Sequence, residues 1–111
     1  MSTATKGRRY EWKSKKLREA QGATVIRAAG SKGPCDLVAL WPSGIVELIS
    51  VKYNRPTPPA ERAALSNLVT ARSLRIASLD RWDKDGLSIM RIGRSGIWME
   101  ASLTPVGCDL P

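Results

Sequence analysis

Residues 35–53 read CDLVALWPSGIVELISVKY. Two apolar runs, Cys35–Trp41 and Ile45–Tyr53, flank Pro42-Ser43-Gly44. So short a connection joins strands only as an antiparallel pair. Alternation along the second strand sets Val46, Leu48, Ser50 and Lys52 on one face, and Glu47, Ile49 and Val51 on the other. Asp36 opens the first run and Lys52 sits near the end of the second. Charges among such apolar neighbours cost free energy unless they are paired or bound to an ion. The tight turn brings the start of one strand beside the end of the other, so Asp36 and Lys52 are expected to lie close together. A strand-edge salt bridge and a catalytic pair both satisfy this pattern. Glu47 reads as a surface charge, with a ligand role open to it only if the strand bulges.

Working outward, residues 1–7 (MSTATKG) read as a small, polar, flexible N-terminus. Arg8–Gln21 contains no Pro or Gly and predicts a helix, with Gly22 as its C-cap. Tyr10, Ser14, Leu17 and Ala20 share a face of that helix, and Lys13, Lys15, Lys16 and Arg18 cover much of the rest. Ala23–Ala28 is rich in β-branched residues and predicts a strand, and Gly30–Pro34 is a glycine-rich loop. Beyond the third strand, Thr57 is placed to cap a second helix that starts at Pro58. Glu61 there complements the positive end of the helix dipole. Ala64, Leu65, Leu68, Val69 and Ala71 form its apolar stripe, through Arg72. Leu74–Trp82 and Leu87–Ile92 predict strands around an Asp83–Gly86 turn, and Ile97–Leu103 an edge strand. The order is an α/β arrangement: a central mixed β-sheet flanked by helices, in a single domain spanning 8–104 with a C-terminal tail over 105–111.

The chain of 111 residues carries 18 Lys/Arg against 10 Asp/Glu, a net charge of +8. Residues 1–33 hold nine basic groups and two acids, so nearly all of the excess lies in that third. A one-sided basic segment attracts polyanions such as nucleic acid. No histidine is present, which excludes Ser-His-Asp, Cys-His and HNH-type catalysis. Cys35 and Cys108 are too few for a zinc site and read as buried thiols in a reducing compartment. No signal peptide or apolar membrane span is visible, so a cytoplasmic protein (host cytoplasm, if viral) is expected, with no membrane partner. The short chain suits a phage. Tyr10 and Trp12 read as packing residues, Trp82 and Trp98 as core or interface, and Arg91 and Arg94 as solvated.

Arg9-Tyr10-Glu11, Gly22, Val25–Leu40 with its R-x-x-G-S-x-G-x-x-D-L segment, and Ser50-Val51-Lys52 together resemble the archaeal-type Holliday-junction resolvases, closest in style to their bacterial and phage relatives. The resemblance covers roughly residues 7–55. It implies a PD-(D/E)XK nuclease-like core, Mg²⁺ as cofactor with Mn²⁺ as substitute, a homodimer, and four-way branched DNA as the partner. Carried over by motif, Glu11, Asp36, Ser50 and Lys52 would be the catalytic set. Asp36, Glu11 and the Val51 carbonyl would hold the metal, and no small-molecule cofactor is implied. Arg8, Arg9, Lys13, Lys16, Arg27, Ser31, Lys32, Tyr53 and Arg55 would meet DNA. One departure stands out: Ser50 occupies the place where the motif usually carries Glu. A hydroxyl is the weaker ligand, so either water fills the position, another acid substitutes, or activity is reduced; a DNA-binding protein whose nuclease site has decayed and another small endonuclease of the same core stay open as alternatives.

Overall fold

The computed structural model describes residues 3–28, 34–70 and 73–102. Ser31, Lys32, Cys108 and the C-terminal tail lie outside them. Helix α1 runs Thr3–Ala20. It begins before the expected Arg8: Ala4 and Lys6 favour helix, and Gly7, at a cost of about 1 kcal/mol, does not interrupt it. It ends as expected at Gly22, whose φ of 105° suits a residue without Cβ. Ala23 N–H then donates to the Arg18 carbonyl at 3.1 Å and Gly22 N–H to that of Glu19 at 3.1 Å, closing the last turn.

Six strands follow: β1 Thr24–Arg27, β2 Leu37–Leu40, β3 Val46–Tyr53, β4 Arg75–Asp83, β5 Gly86–Ile92 and β6 Met99–Ala101. They form one mixed sheet in sequence order. All neighbours are antiparallel except β3 and β4, which are parallel. That pair requires a crossover, supplied by α2, Pro59–Val69. Its N-cap is Pro58 rather than Thr57, and no side chain caps it. Proline at the first helical position removes one of the N–H groups a cap would satisfy.

α1 covers one face of the sheet, over Val25, Leu37, Ala39, Ile49 and Val51, with Tyr10 packed against them. α2 covers the other, where Leu65 and Val69 meet Ala77, Leu79 and Ile92. As a central strand, β3 is covered on both faces.

The α1 face holds a buried ionic network that overturns three readings from the sequence. Arg18, taken as part of the basic surface, is 1% exposed, and Glu47, taken as a surface charge, is 0% exposed. Arg18 Nε and Nη2 donate to the two Glu47 oxygens at 3.0 Å each. Its Nη1 and Nη2 donate to Asp80 at 2.6 and 2.8 Å. Trp41 Nε1–H donates to Glu47 at 2.9 Å, and the Ser78 hydroxyl donates to it as well. Arg91, taken as solvated, donates to Ser78 at 3.2 Å and to Glu47 at 3.3 Å. Two guanidinium groups thus face two carboxylates, and the buried charge balances. Burial pushes the Glu47 carboxyl up, but the adjoining Arg18, with Arg91 and Ser78, outweighs it and holds the group below the usual carboxylate range. Burial likewise opposes charge on Arg18, and Asp80 and Glu47 more than offset it.

Breaking such a network by removing one charge strands the others. Glu47→Gln is expected to lower unfolding free energy by about 3–5 kcal/mol, measured by urea denaturation. Because its folded pKa is depressed, Glu47 contributes stability that is full above the unfolded value of about 4.3 and lost as pH falls through the folded one. The urea midpoint should therefore hold between about pH 7 and 5.5 and drop below about pH 4.

Candidate active site

Asp36 stands one residue before β2. Its N–H donates to the Ile49 carbonyl at 2.8 Å, and its own carbonyl accepts from Ala28 N–H at 2.9 Å, so the ladder already holds it. Leu37 pairs with Ile49. One step back, outside the strand, the Asp36 backbone still meets Ile49, and its side chain turns to the edge of β3 at Val51, between Ser50 and Lys52 in sequence. The expected juxtaposition of the two strand ends is present. Asp36 Oδ2 accepts from the Val51 backbone N–H at 2.7 Å, which fixes the carboxylate against β3.

Lys52 pairs with a different acid from the one anticipated. Its Nζ lies 3.2 Å from Glu61 Oε2 and donates to Oε1 at 3.3 Å. The Ser50 hydroxyl donates to the same Oε1 at 3.5 Å. Glu61 sits in the first turn of α2. The chain turns at Asn54, in a left-handed conformation with φ of 57° that asparagine tolerates. Asn54 N–H donates to the Trp82 carbonyl at 2.6 Å. Pro56, Pro58 and Pro59 then stiffen the path back, so α2 starts near the end of β3 and its first carboxylate returns over Ser50 and Lys52. The sequence marks Glu61 only as a dipole partner. The available signal was its place in the first helical turn, after a short proline-stiffened link from Lys52.

Glu11 is placed differently. It lines a cleft of about 220 Å³ with Arg8, Trp12, Lys15, Arg27 and Leu37. Its carboxylate accepts from Arg27 Nε at 3.4 Å. Leu37 belongs to the core beneath α1, so Glu11 approaches β2 from the face opposite Ser50 and Lys52. Tyr53 stacks on Tyr10 with ring centroids 4.4 Å apart, and Tyr10 raises the Tyr53 phenol above its ordinary pKa. Lys13 Nζ lies 4.9 Å from the Tyr10 ring centre. Trp82 Nε1–H donates to Ser14 Oγ at 2.9 Å, the packing role expected of it. Trp12 is exposed, with Lys16 Nζ 5.6 Å from its ring centre, a surface packing contact; Arg8, Arg9, Lys16 and Arg55 are exposed too. Cys35 is a free, half-buried thiol. Burial first, then the negative charge of Asp36, pushes its pKa up.

Among the described residues no three acidic or thiol side chains converge as a metal cage. The donors beside Ser50 still suit a hard cation. Mg²⁺ keeps several waters and is held by one or two carboxylates with carbonyl oxygens. Asp36 and Glu61 supply two such carboxylates, and Ser50 adds a hydroxyl oxygen.

The fold has a solved counterpart. The structure of Archaeoglobus fulgidus Hjc, a Holliday junction resolvase from an archaeal hyperthermophile, superposes with a TM-score of 0.60. The match covers 86% of this chain and 91% of that one, at 22% sequence identity. This chain has the resolvase fold. No family model matches the sequence, and no curated protein does. The likeness to Hjc therefore rests on the sheet, its two helices and their order.

Asp36 has a structural duty that can be separated from chemistry. Asp36→Ala leaves the buried Val51 N–H without its acceptor and is expected to cost about 1–3 kcal/mol. Asp36→Asn keeps an amide oxygen there and should unfold within about 1 kcal/mol of wild type. Urea melts of both variants check this.

Proposed function

We propose that the chain is a metal-dependent, structure-selective endodeoxyribonuclease that resolves four-way DNA junctions. The observation that carries this reading is the Asp36 carboxylate fixed on the Val51 amide, between Ser50 and Lys52 near the end of β3, within a fold shared with a Holliday junction resolvase. The +8 charge and the exposed bases of α1 are what a polyanionic partner requires.

Asp36 and the Val51 carbonyl would hold Mg²⁺, with Mn²⁺ as a substitute, and Glu11 is the further acid that the resemblance assigns to this role. When bound, such a cation polarises the scissile phosphate and makes water a competent nucleophile at neutral pH. Lys52 Nζ, poised at the strand end, donates a hydrogen bond to a phosphate oxygen or to the attacking water and offsets the negative charge that grows in the transition state. Arg8, Arg9, Lys13, Lys16, Arg27 and Arg55 bind the sugar-phosphate backbone, with Ser31, Lys32 and Tyr53 as the further contacts that the resemblance assigns. Contacts of this kind position DNA without reading its sequence, so selectivity rests on the shape of the junction. Paired nicks in opposing strands need two sites related by a two-fold axis, and hence a homodimer. The chain would work wherever the DNA lies, in the cytoplasm of a cell or of a phage host. Among the described residues no helix is long and apolar enough to cross a membrane.

A labelled four-way junction incubated with Mg²⁺ should receive symmetric nicks while its linear duplex arms stay intact. Asp36→Asn should abolish cleavage and keep binding, and Lys52→Ala should slow it by about 100- to 1,000-fold. Tight binding with no cleavage in Mg²⁺ or Mn²⁺ would leave a junction-binding protein. Arg8→Ala and Arg9→Ala should each weaken binding alike across junction sequences and reduce the salt slope by about 1, read by fluorescence anisotropy across a salt series.

A further inference from the structure

Ile26 on β1, Leu40 on β2 and Met99 on β6 are exposed apolar residues with no particular occupant indicated. The buried Arg18 network is balanced and closed. Glu61 differs from all of these, because its position bears on the one residue in the site that departs from expectation. Ser50 is 0% exposed and sits where a carboxylate would have been a natural ligand, yet nothing in the sequence near it replaces that charge. The nearer acid in sequence, Glu47, is consumed by Arg18, Trp41 and Ser78 on the opposite face. Glu61 comes instead from another element. It reaches within 3.5 Å of the Ser50 hydroxyl and 3.2 Å of Lys52 Nζ. Serine at position 50 is short enough to leave the space that the Glu61 side chain enters.

We infer that Glu61, at the start of α2, is the second metal-binding carboxylate of this site, taking over from the strand the charge that Ser50 lacks. The inference rests on the nuclease reading and deepens it. A carboxylate on the helix can serve the same ion as one on the strand because a hard cation selects oxygen donors by distance and charge, whatever backbone carries them. In the structure as it stands, Lys52 neutralises Glu61. An arriving cation would compete for that carboxylate and release Lys52 Nζ toward the phosphate. The same arrangement thus holds both the lysine and the acid in place before metal arrives.

The test is Mn²⁺ affinity without DNA, by calorimetry and by the electron paramagnetic resonance of free Mn²⁺, alongside junction cleavage. Three proteins are compared: wild type, Glu61→Gln, and Ser50→Glu/Glu61→Gln, which moves the charge back onto the strand. Circular dichroism confirms that each is folded. Glu61→Gln is expected to weaken Mn²⁺ binding at least about tenfold, since affinity follows the count of charged ligands, and to slow cleavage. The double variant is expected to recover both. Undiminished Mn²⁺ affinity in folded Glu61→Gln, with wild type binding and cutting normally, would overturn the inference and leave Glu61 as the ion-pair partner of Lys52. If wild type neither binds Mn²⁺ nor cuts, the nuclease reading itself falls, and this inference with it.

Discussion

The structure depends on a guanidinium group placed where water cannot reach it. Arg18 rises from α1 into the centre of the sheet and binds Glu47 on β3 and Asp80 on β4 at once. These two strands form the sheet's one parallel pair, and the Arg18 link ties both to the helix above them. Isolated, each of these charges would be expelled from the interior. Together, with Arg91, Ser78 and Trp41 completing their hydrogen bonds, they are satisfied, and they accept only one register of helix on sheet. A buried ion pair is poor evidence of great stability, but loss of one partner is costly. The network therefore acts mainly to fix geometry.

That fixed geometry is what the opposite face of β3 requires. With Glu47, Ile49 and Val51 locked under α1, Ser50 and Lys52 must face α2. The Asp36 side chain is held to the Val51 amide between them. The crossover from β3 to β4 then returns the first turn of α2 to the same strand end. One strand thus carries a structural charge on one face, Glu47, and the candidate chemistry on the other, three and five positions on at Ser50 and Lys52.

Much of this was legible beforehand. The turn at Pro42-Ser43-Gly44 fixed the antiparallel β2–β3 pair, and the parity of β3 sorted its residues correctly between faces. Parity alone does not say which faces are covered. On a strand buried on both sides, the polar face of an edge strand and the second core face of a central one look alike, so Glu47 was taken for a surface charge. Arg18 and Arg91 were missed for a related reason: their carboxylate partners lie 29 or more residues away in sequence, and nothing local distinguishes a buried arginine from a solvated one. Glu61 was noticed only for its helix dipole, because bringing it to Ser50 depends on the path of the proline-stiffened link. Glu11 was grouped with Asp36 by motif. Here it is engaged by Arg27 on the α1 side, a pairing that sequence proximity does not disclose.

In the proposed site, the carboxylate just before β2 and the carboxylate at the start of α2 share one cation beside β3. Crystals grown with Mn²⁺ and measured at its absorption edge test this most directly. One anomalous peak per chain is expected, bounded by Asp36, Glu61 and the Val51 carbonyl, with Lys52 Nζ released from Glu61. A fully occupied Mn²⁺ ion bound elsewhere, with Glu61 still paired to Lys52, would contradict it.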